Sequence, residues 1–176
     1  MFLSTPFQLQ PTLVGETLTL RPLALEDLEP LYEVARDPLL WEQHPQPERA
    51  ERAGFETFFQ SSLASGGALV AVENDGGRVV GSSRFYEWNP DVPDIAIGYS
   101  FVSRDLWGAG ANTQMKALML AHAFQWVPTV WFHVAKTNLR SRRAMEKIGG
   151  VFSHEAMKEF QGKSIPYVFY RIEAAR

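Results

Sequence analysis

Trp107-Gly108-Ala109-Gly110-Ala111-Asn112 stands between two runs of different periodicity, and that junction decides the fold. Before it, Ile95-Ala96-Ile97-Gly98-Tyr99-Ser100-Phe101-Val102 alternates and is rich in branched and aromatic residues, as a strand is. After it, from Thr113 to Trp126, bulky apolar residues return at helical spacing. A strand entering a glycine turn that opens a helix aims several unpaired backbone N–H groups, and the positive end of a helix dipole, at one point. An anion suits that point, most often a phosphate. Gly108 and Gly110 let a ligand approach the backbone closely and permit positive φ. No Gly-Lys-Ser/Thr follows, and the third position of a G-x-G-x-x-G pattern falls on Thr113, so neither the triphosphate loop nor the dinucleotide turn is present. A lone glycine turn is also compatible with simple chain reversal, so the weight falls on what accompanies it.

A second constellation lies downstream. Val130-Trp131-Phe132-His133-Val134 reads as another strand, and it runs into a short helix from Asn138 to Ile148. Asn138 is a good N-cap, and Gly149 and Gly150 stop the helix. Ser141, Ala144, Met145 and Ile148 share one face, which turns Ser141 inward at the first turn. Capping alone would also account for Asn138, and packing for Ser141.

Together these segments resemble the GCN5-related N-acetyltransferase family. Leu18-Thr19-Leu20-Arg21-Pro22-Leu23 is similar to the family's first strand, with Asp27 and Leu31 following in the first helix. Trp107 to Gln114 resembles the acetyl-CoA pyrophosphate loop, in the form of the branch containing ribosomal-protein N-terminal acetyltransferases. Asn138-x-x-Ser141, leading into Glu146-Lys147-x-Gly149, resembles the next strand-to-helix motif. The similarity runs from about Thr17 to the C-terminus. It implies acetyl-CoA as cosubstrate, a primary amine as acceptor (a small molecule or a protein N-terminus such as that of a ribosomal protein), and a monomer or homodimer. In that fold the strand before the loop splays from its neighbour at a bulge, which we expect at Gly98, and the pantetheine arm fills the gap. The resemblance assigns the pantetheine to the amides of Phe101, Val102 and Ser103. It assigns the pyrophosphate to those of Trp107, Gly108, Ala109, Gly110, Ala111, Asn112 and Thr113, with Asn138 and Ser141 completing the cofactor site.

The chain departs from the family pattern at several positions. Trp107 stands where Arg or Gln is common and Asn112 where Gly or Ala is usual, both compatible with the ribosomal-protein branch. Ala96 stands where many relatives carry a glutamate base. Asp94, two residues earlier and on the same strand face, is the candidate replacement, although a solvated turn residue beside Pro93 fits as well. The last helix has no tyrosine, so Ser141 is the candidate acid for the leaving thiolate. The missing glutamate leaves a second reading open, a CoA-binding sensor or structural module without turnover.

Composition narrows the alternatives. At 176 residues the chain is sized for one domain, taken as 1–176 with a core at about 17–174, and can bury roughly two-thirds of its unfolded surface. Hydrophobic residues at 45% and charged residues at 21% are ordinary for a globular chain. A net charge of −3 disfavours sequence-independent nucleic-acid binding. Arg140, Arg142 and Arg143 form a local basic cluster, either a solvated helix face, with Arg142 near Glu146, or a contact for cofactor phosphates. The absence of cysteine excludes disulfides, thiolate metal sites and an enzyme-bound thioester. The four histidines have no ligand spacing, so no metal site is expected, and His122 falls on an apolar helix stripe. The first six residues lack a basic n-region and a sustained apolar core, and no apolar stretch has membrane-spanning length. Cytoplasmic residence with no membrane partner is the resulting expectation.

The remaining elements follow from local signals. Thr17 to Leu20 reads as a strand, and Leu25 to Arg36 and Pro47 to Ser62 as helices. Ala68 to Glu73 and Arg78 to Trp88 are strands joined by Asn74-Asp75-Gly76-Gly77. Val151 to Phe160 and Ser164 to Ile172 are strands linked around Gly162. This order predicts an α/β (α+β) domain with a mixed, mostly antiparallel sheet, and the resemblance adds helices on both faces. Glu33, Asp37, Glu42 and Glu87 are candidate walls of an acidic acceptor groove suited to a basic tail.

Overall fold

The computed structural model describes residues 6–175, so Met1 to Thr5, where no leader is expected, lie outside the described residues. Eight strands form one sheet: β1 (Leu13–Val14), β2 (Leu18–Pro22), β3 (Ala68–Glu73), β4 (Val79–Tyr86), β5 (Asp94–Val102), β6 (Thr129–Ala135), β7 (Val151–Phe160) and β8 (Lys163–Glu173). Their order across the sheet is β1-β2-β3-β4-β5-β6-β8-β7. Every pairing is antiparallel except β5 with β6. The β3–β4 turn carries Gly76 and Gly77 at φ of 78° and 69°, values that favour glycine.

Four α-helices, α1 (Leu28–Ala35), α2 (Arg52–Ala64), α3 (Ala111–Ala123) and α4 (Leu139–Lys147), cover both faces. On one face Leu31, Phe55 and Phe59 pack against Val70 and Phe101. On the other Met115, Met119 and Met145 pack against Ile95, Ile97 and Tyr170. The mixed sheet with helices on both sides is therefore the expected architecture. Among the described residues no helix is long and apolar enough to cross a membrane.

Helix boundaries show where local chemistry changed the expected elements. The predicted helix from Leu25 opens as a 3₁₀ turn, Leu25–Asp27, before α1. Pro30 has no N–H for the bond that a continuous α-helix would need there. The helix predicted from Pro47 is likewise a 3₁₀ turn, Pro47–Ala50, separated from α2 by Glu51 in an extended conformation. Asp27, 2% exposed, ties β2 to α1: its carboxylate accepts from both Arg21 terminal nitrogens at 2.9 and 2.7 Å and from the Ala24 N–H at 2.8 Å. His122 is a packed core histidine whose Nε2 lies 2.8 Å from the Gln8 carbonyl.

β5 contains the feature that positions the site. Arg84 pairs with Gly98 and Ser82 with Phe101, so Tyr99 and Ser100 together face Ser83 alone. This bulge reverses the alternation: Ile95 and Ile97 point to the α3 face, whereas Phe101 points to the α2 face. It falls one residue beyond Gly98, on Tyr99, whose φ is 54°. Gly98 instead makes room for Tyr86, because a Cβ there would lie 2.9 Å from the Tyr86 ring.

Candidate functional site

The β5–β6 ladder is short. The strands pair only from Asp94 with Thr129 to Ala96 with Trp131. Beyond that point β5 stays with β4 and β6 with β8, so the sheet opens into a V. The glycine turn and the first turn of α4 stand over one mouth of this opening.

Gly108 and Gly110 have φ of 78° and 85°, left-handed conformations that suit glycine, and Gly110 is the residue from which α3 starts. The first intrahelical bond runs from the Gln114 N–H to the Gly110 carbonyl at 2.9 Å. The N–H groups of Gly110, Ala111, Asn112 and Thr113 are thus the orphan donors of a helix start. Gly108 has no backbone acceptor among the described residues. Three of the expected backbone donors are spent elsewhere. Ser103 N–H bonds the Val80 carbonyl at 2.7 Å, Trp107 N–H that of Arg104 at 3.1 Å, and Ala109 N–H that of Leu106 at 3.2 Å. Trp107 still contributes its ring to the cleft wall.

The cleft has a volume of about 330 Å³, and Phe101, Val102, Gly108, Gly110, Thr113 and Asn138 are on its walls. Ser103, Ala109 and Ala111 are not among its lining residues. Asn138 caps α4, its Oδ1 accepting from the Ser141 N–H at 3.2 Å. The basic cluster divides. Arg140 lines the cleft, its guanidinium 4.2 Å from the Trp107 ring centroid and bonded to Glu42 at 2.8 Å. Arg142 instead donates to the Tyr170 hydroxyl, which in turn donates to Glu146 at 3.2 Å, so the tyrosine stands between the two expected partners. Arg143 is exposed.

A second cavity, of about 130 Å³, continues into the V and shares Ser100, Asn112 and Ser141 with the first. Lys116 of α3 reaches it from the core. This ammonium group belongs to a residue only 2% exposed and donates to Ser83 Oγ at 3.1 Å and to Ser100 Oγ. Burial pushes its pKa from the usual lysine range down to about 7. His44 and His133 line the same cavity, and burial lowers each to about 3, so both are neutral at physiological pH.

Asp94 sits apart. Its Oδ2 accepts from the Trp131 indole N–H at 3.0 Å, at the closed end of the V, and the residue lines neither cavity. Four residues of strand, ~13 Å at the usual rise, separate it from Gly98. The alternation argument gave its face correctly and its depth wrongly for contact with the cleft. Lys116 was not legible as a site residue, since one lysine in a helix reads as solvated until the serines opposite it are known.

The four acidic residues do not share one groove: Glu33 and Asp37 line a separate cavity with Arg104 and Asp105. Glu33 pairs with Arg36, Asp37 with Arg104 and Glu42 with Arg140. Glu42 meets the first cleft through Arg140, and Glu87 stands by the second cavity with a carboxylate 3.9 Å from His133 Nε2.

Residues 17–151 match the family model described as the acetyltransferase (GNAT) domain. The chain belongs to the GNAT acetyltransferase family. No curated protein sequence matches it significantly. Among solved structures, this GNAT chain is similar to a GCN5-related N-acetyltransferase from Brucella melitensis, with TM-score 0.82, 18% identity, and 93% of this chain and 79% of that one covered. It is also similar to the microcin C7 self-immunity acetyltransferase MccE in complex with acetyl-CoA and AMP, with TM-score 0.74, 16% identity and coverage of 95% and 99%. A candidate ribosomal-protein-serine acetyltransferase from Vibrio cholerae gives TM-score 0.75 at 14% identity, covering 93% and 97%. At these identities the likeness is one of fold, and with 93% to 95% of this chain covered it reaches beyond the end of the GNAT family match.

Proposed function

We propose that the protein binds acetyl-CoA in the cleft beneath the glycine turn and transfers the acetyl group to a primary amine in the V between β5 and β6. The observation that carries this reading is the convergence on one opening of a helix start with free N–H donors, an inward serine and a buried lysine. The amides of Gly110 to Thr113 suit the pyrophosphate, and the left-handed glycines keep side chains out of its approach. When bound, acetyl-CoA supplies the activated acyl group.

The chain's own residues then have two proton tasks. Lys116, neutral above about pH 7, takes the proton of the incoming ammonium through the Ser100 hydroxyl. The amine nitrogen bonds to the acetyl carbon as the carbon–sulfur bond breaks, and the nitrogen releases its second proton to solvent. Ser141 donates its hydroxyl proton to the departing sulfur and regains one from solvent. Lys116 fills the role left open by Ala96, and the presence of both an acid and a base supports an enzyme over a binding module.

The test is amine-dependent release of free CoA thiol from acetyl-CoA by the purified protein, read with a panel of small amines and N-terminal peptides. Release that depends on both substrates supports the reading. Saturable CoA binding with no thiol release on any amine would overturn it.

A further inference from the structure

Beyond the V, the second cavity opens into a third, of about 70 Å³, which shares His44, Arg49, Tyr99, His133 and Tyr167 with it. This side lies across the cavity from the glycine turn, and its charges are one-sided. Arg49 is 7% exposed and Arg84 5% exposed, and neither has a carboxylate partner among the described residues. Arg49 bonds the neutral Gln46 side chain, and Arg84 donates to Ser62 Oγ at 2.7 Å while its Nε is buried without an acceptor. The two guanidinium groups share one ring, their Cζ atoms 4.3 and 6.0 Å from the Phe58 centroid. A third cation, Lys158, lines the mouth and holds Nδ1 of the neutral His133 at 2.7 Å. Two carboxylates stand near without pairing with either arginine: Glu87, which is 61% exposed, and Glu48, whose charge reaches Arg49.

Buried cations without a counter-ion are costly, and aromatic faces return only part of that cost. Burial depresses Arg49 and Arg84 alike, as expected for charges that lack an opposite partner. A bound anion would supply the missing charge at Arg49 and Lys158, which line this wall, whereas Arg84 lines none of the three cavities and lies against Tyr99, its Cζ 3.9 Å from the ring centroid. We infer that the acceptor is a small primary amine bearing a carboxylate or phosphate a few bonds from its nitrogen, with the anion on Arg49 and the amine directed into the V. The inference rests on the acetyl-transfer reading and names the substrate class for that site. It narrows the primary amine expected from the sequence to its small-molecule alternative and gives that amine an anionic group.

Matched acceptors test it: β-alanine against β-alaninamide, O-phosphoethanolamine against ethanolamine, and a peptide with an acidic N-terminal residue against its amidated counterpart. The anionic member of the carboxylate or phosphate pair should have kcat/KM about tenfold to a hundredfold higher, the range of a charge-assisted hydrogen bond. Arg49→Gln should erase that preference by raising KM for the anion while leaving the neutral member and acetyl-CoA affinity near wild type, and Arg49→Lys should restore part of it. Neutral partners used equally well, a preference confined to the peptide pair, or an Arg49→Gln effect equal on both members would each overturn the inference. If no amine turns over, calorimetry of the same compounds on CoA-saturated protein still decides. Anion binding lost in Arg49→Gln sustains the anion site while the transferase reading fails, and absence of binding sinks both.

Discussion

Lys116 Nζ on α3 stands 3.1 Å from Ser83 Oγ on β4, so the lysine meets the sheet at the single residue facing the β5 bulge. Among the described residues its only other hydrogen-bond partner is Ser100, and burial alone accounts for its depressed pKa of about 7. The other titratable groups around the cavity are His44 and His133, both neutral, with Arg49, Tyr99 and Tyr167. The acetyl-transfer rate should therefore rise with pH through about 7, as Lys116 loses its proton. Lys116→Met should lower kcat by about 10²-fold or more and flatten that limb. A pH–rate profile unchanged in the variant would remove Lys116 from proton transfer.

The same residue predicts a stability effect of opposite sign. The unfolded chain holds the Lys116 proton to about pH 10, whereas the folded chain releases it near 7, so stability should climb with pH between those values. At pH 7 and below the full burial penalty remains. Lys116→Met should then melt several degrees higher than wild type near neutrality, with the gap closing toward pH 10. Thermal melts of both proteins across that range provide the check.

Ser141 lies on the walls of both main cavities, and its backbone N–H, rather than its hydroxyl, makes the cap contact with Asn138. Ser141→Ala should cut kcat about tenfold to a hundredfold while acetyl-CoA affinity stays nearly constant. Lost affinity at normal kcat would make Ser141 a binding residue and leave protonation of the thiolate to water.

Gly110→Val imposes a branched side chain on a backbone at φ 85°, at the start of α3. Acetyl-CoA affinity should fall by about tenfold or more, and the fold should persist because the position is exposed. Unchanged affinity by calorimetry in a folded variant would dismiss this turn as the phosphate cradle.

Asp94→Asn keeps an acceptor for the Trp131 indole, and the residue is remote from the cavities. Turnover should stay within about threefold of wild type, in contrast to the loss expected for Lys116→Met. A loss on the scale of a removed general base would restore Asp94 to the chemistry.

Much of this was legible because it is local. The glycine turn, the Asn138 cap and the β3–β4 turn each declare themselves within a few residues, and the order of elements then leaves few sheets to build. The bulge was placed one residue early because a strand glycine signals a tight approach without saying whether the backbone or a neighbouring ring, here Tyr86, requires it. Lys116 and Arg49 were illegible for a different reason. Lys116 is buried against Ser83 and Ser100 of other elements, and Arg49 against Phe58 and Trp41, which lie on either side of it in the chain and close on it only when the segments fold together. The pairing of the acidic residues was illegible on the same ground, since Asp37 and Glu42 bond arginines 67 and 98 positions away.

The three-residue ladder between β5 and β6 also divides the molecule mechanically. β6, β8 and β7 form a unit joined to the other five strands by that short seam and by helix packing. Amide hydrogen exchange should find this C-terminal block opening at lower free energy than β2 to β4. A ligand lying in the V touches both blocks at once and acts as a clasp, so the cooperativity of unfolding should itself become a function of ligand concentration.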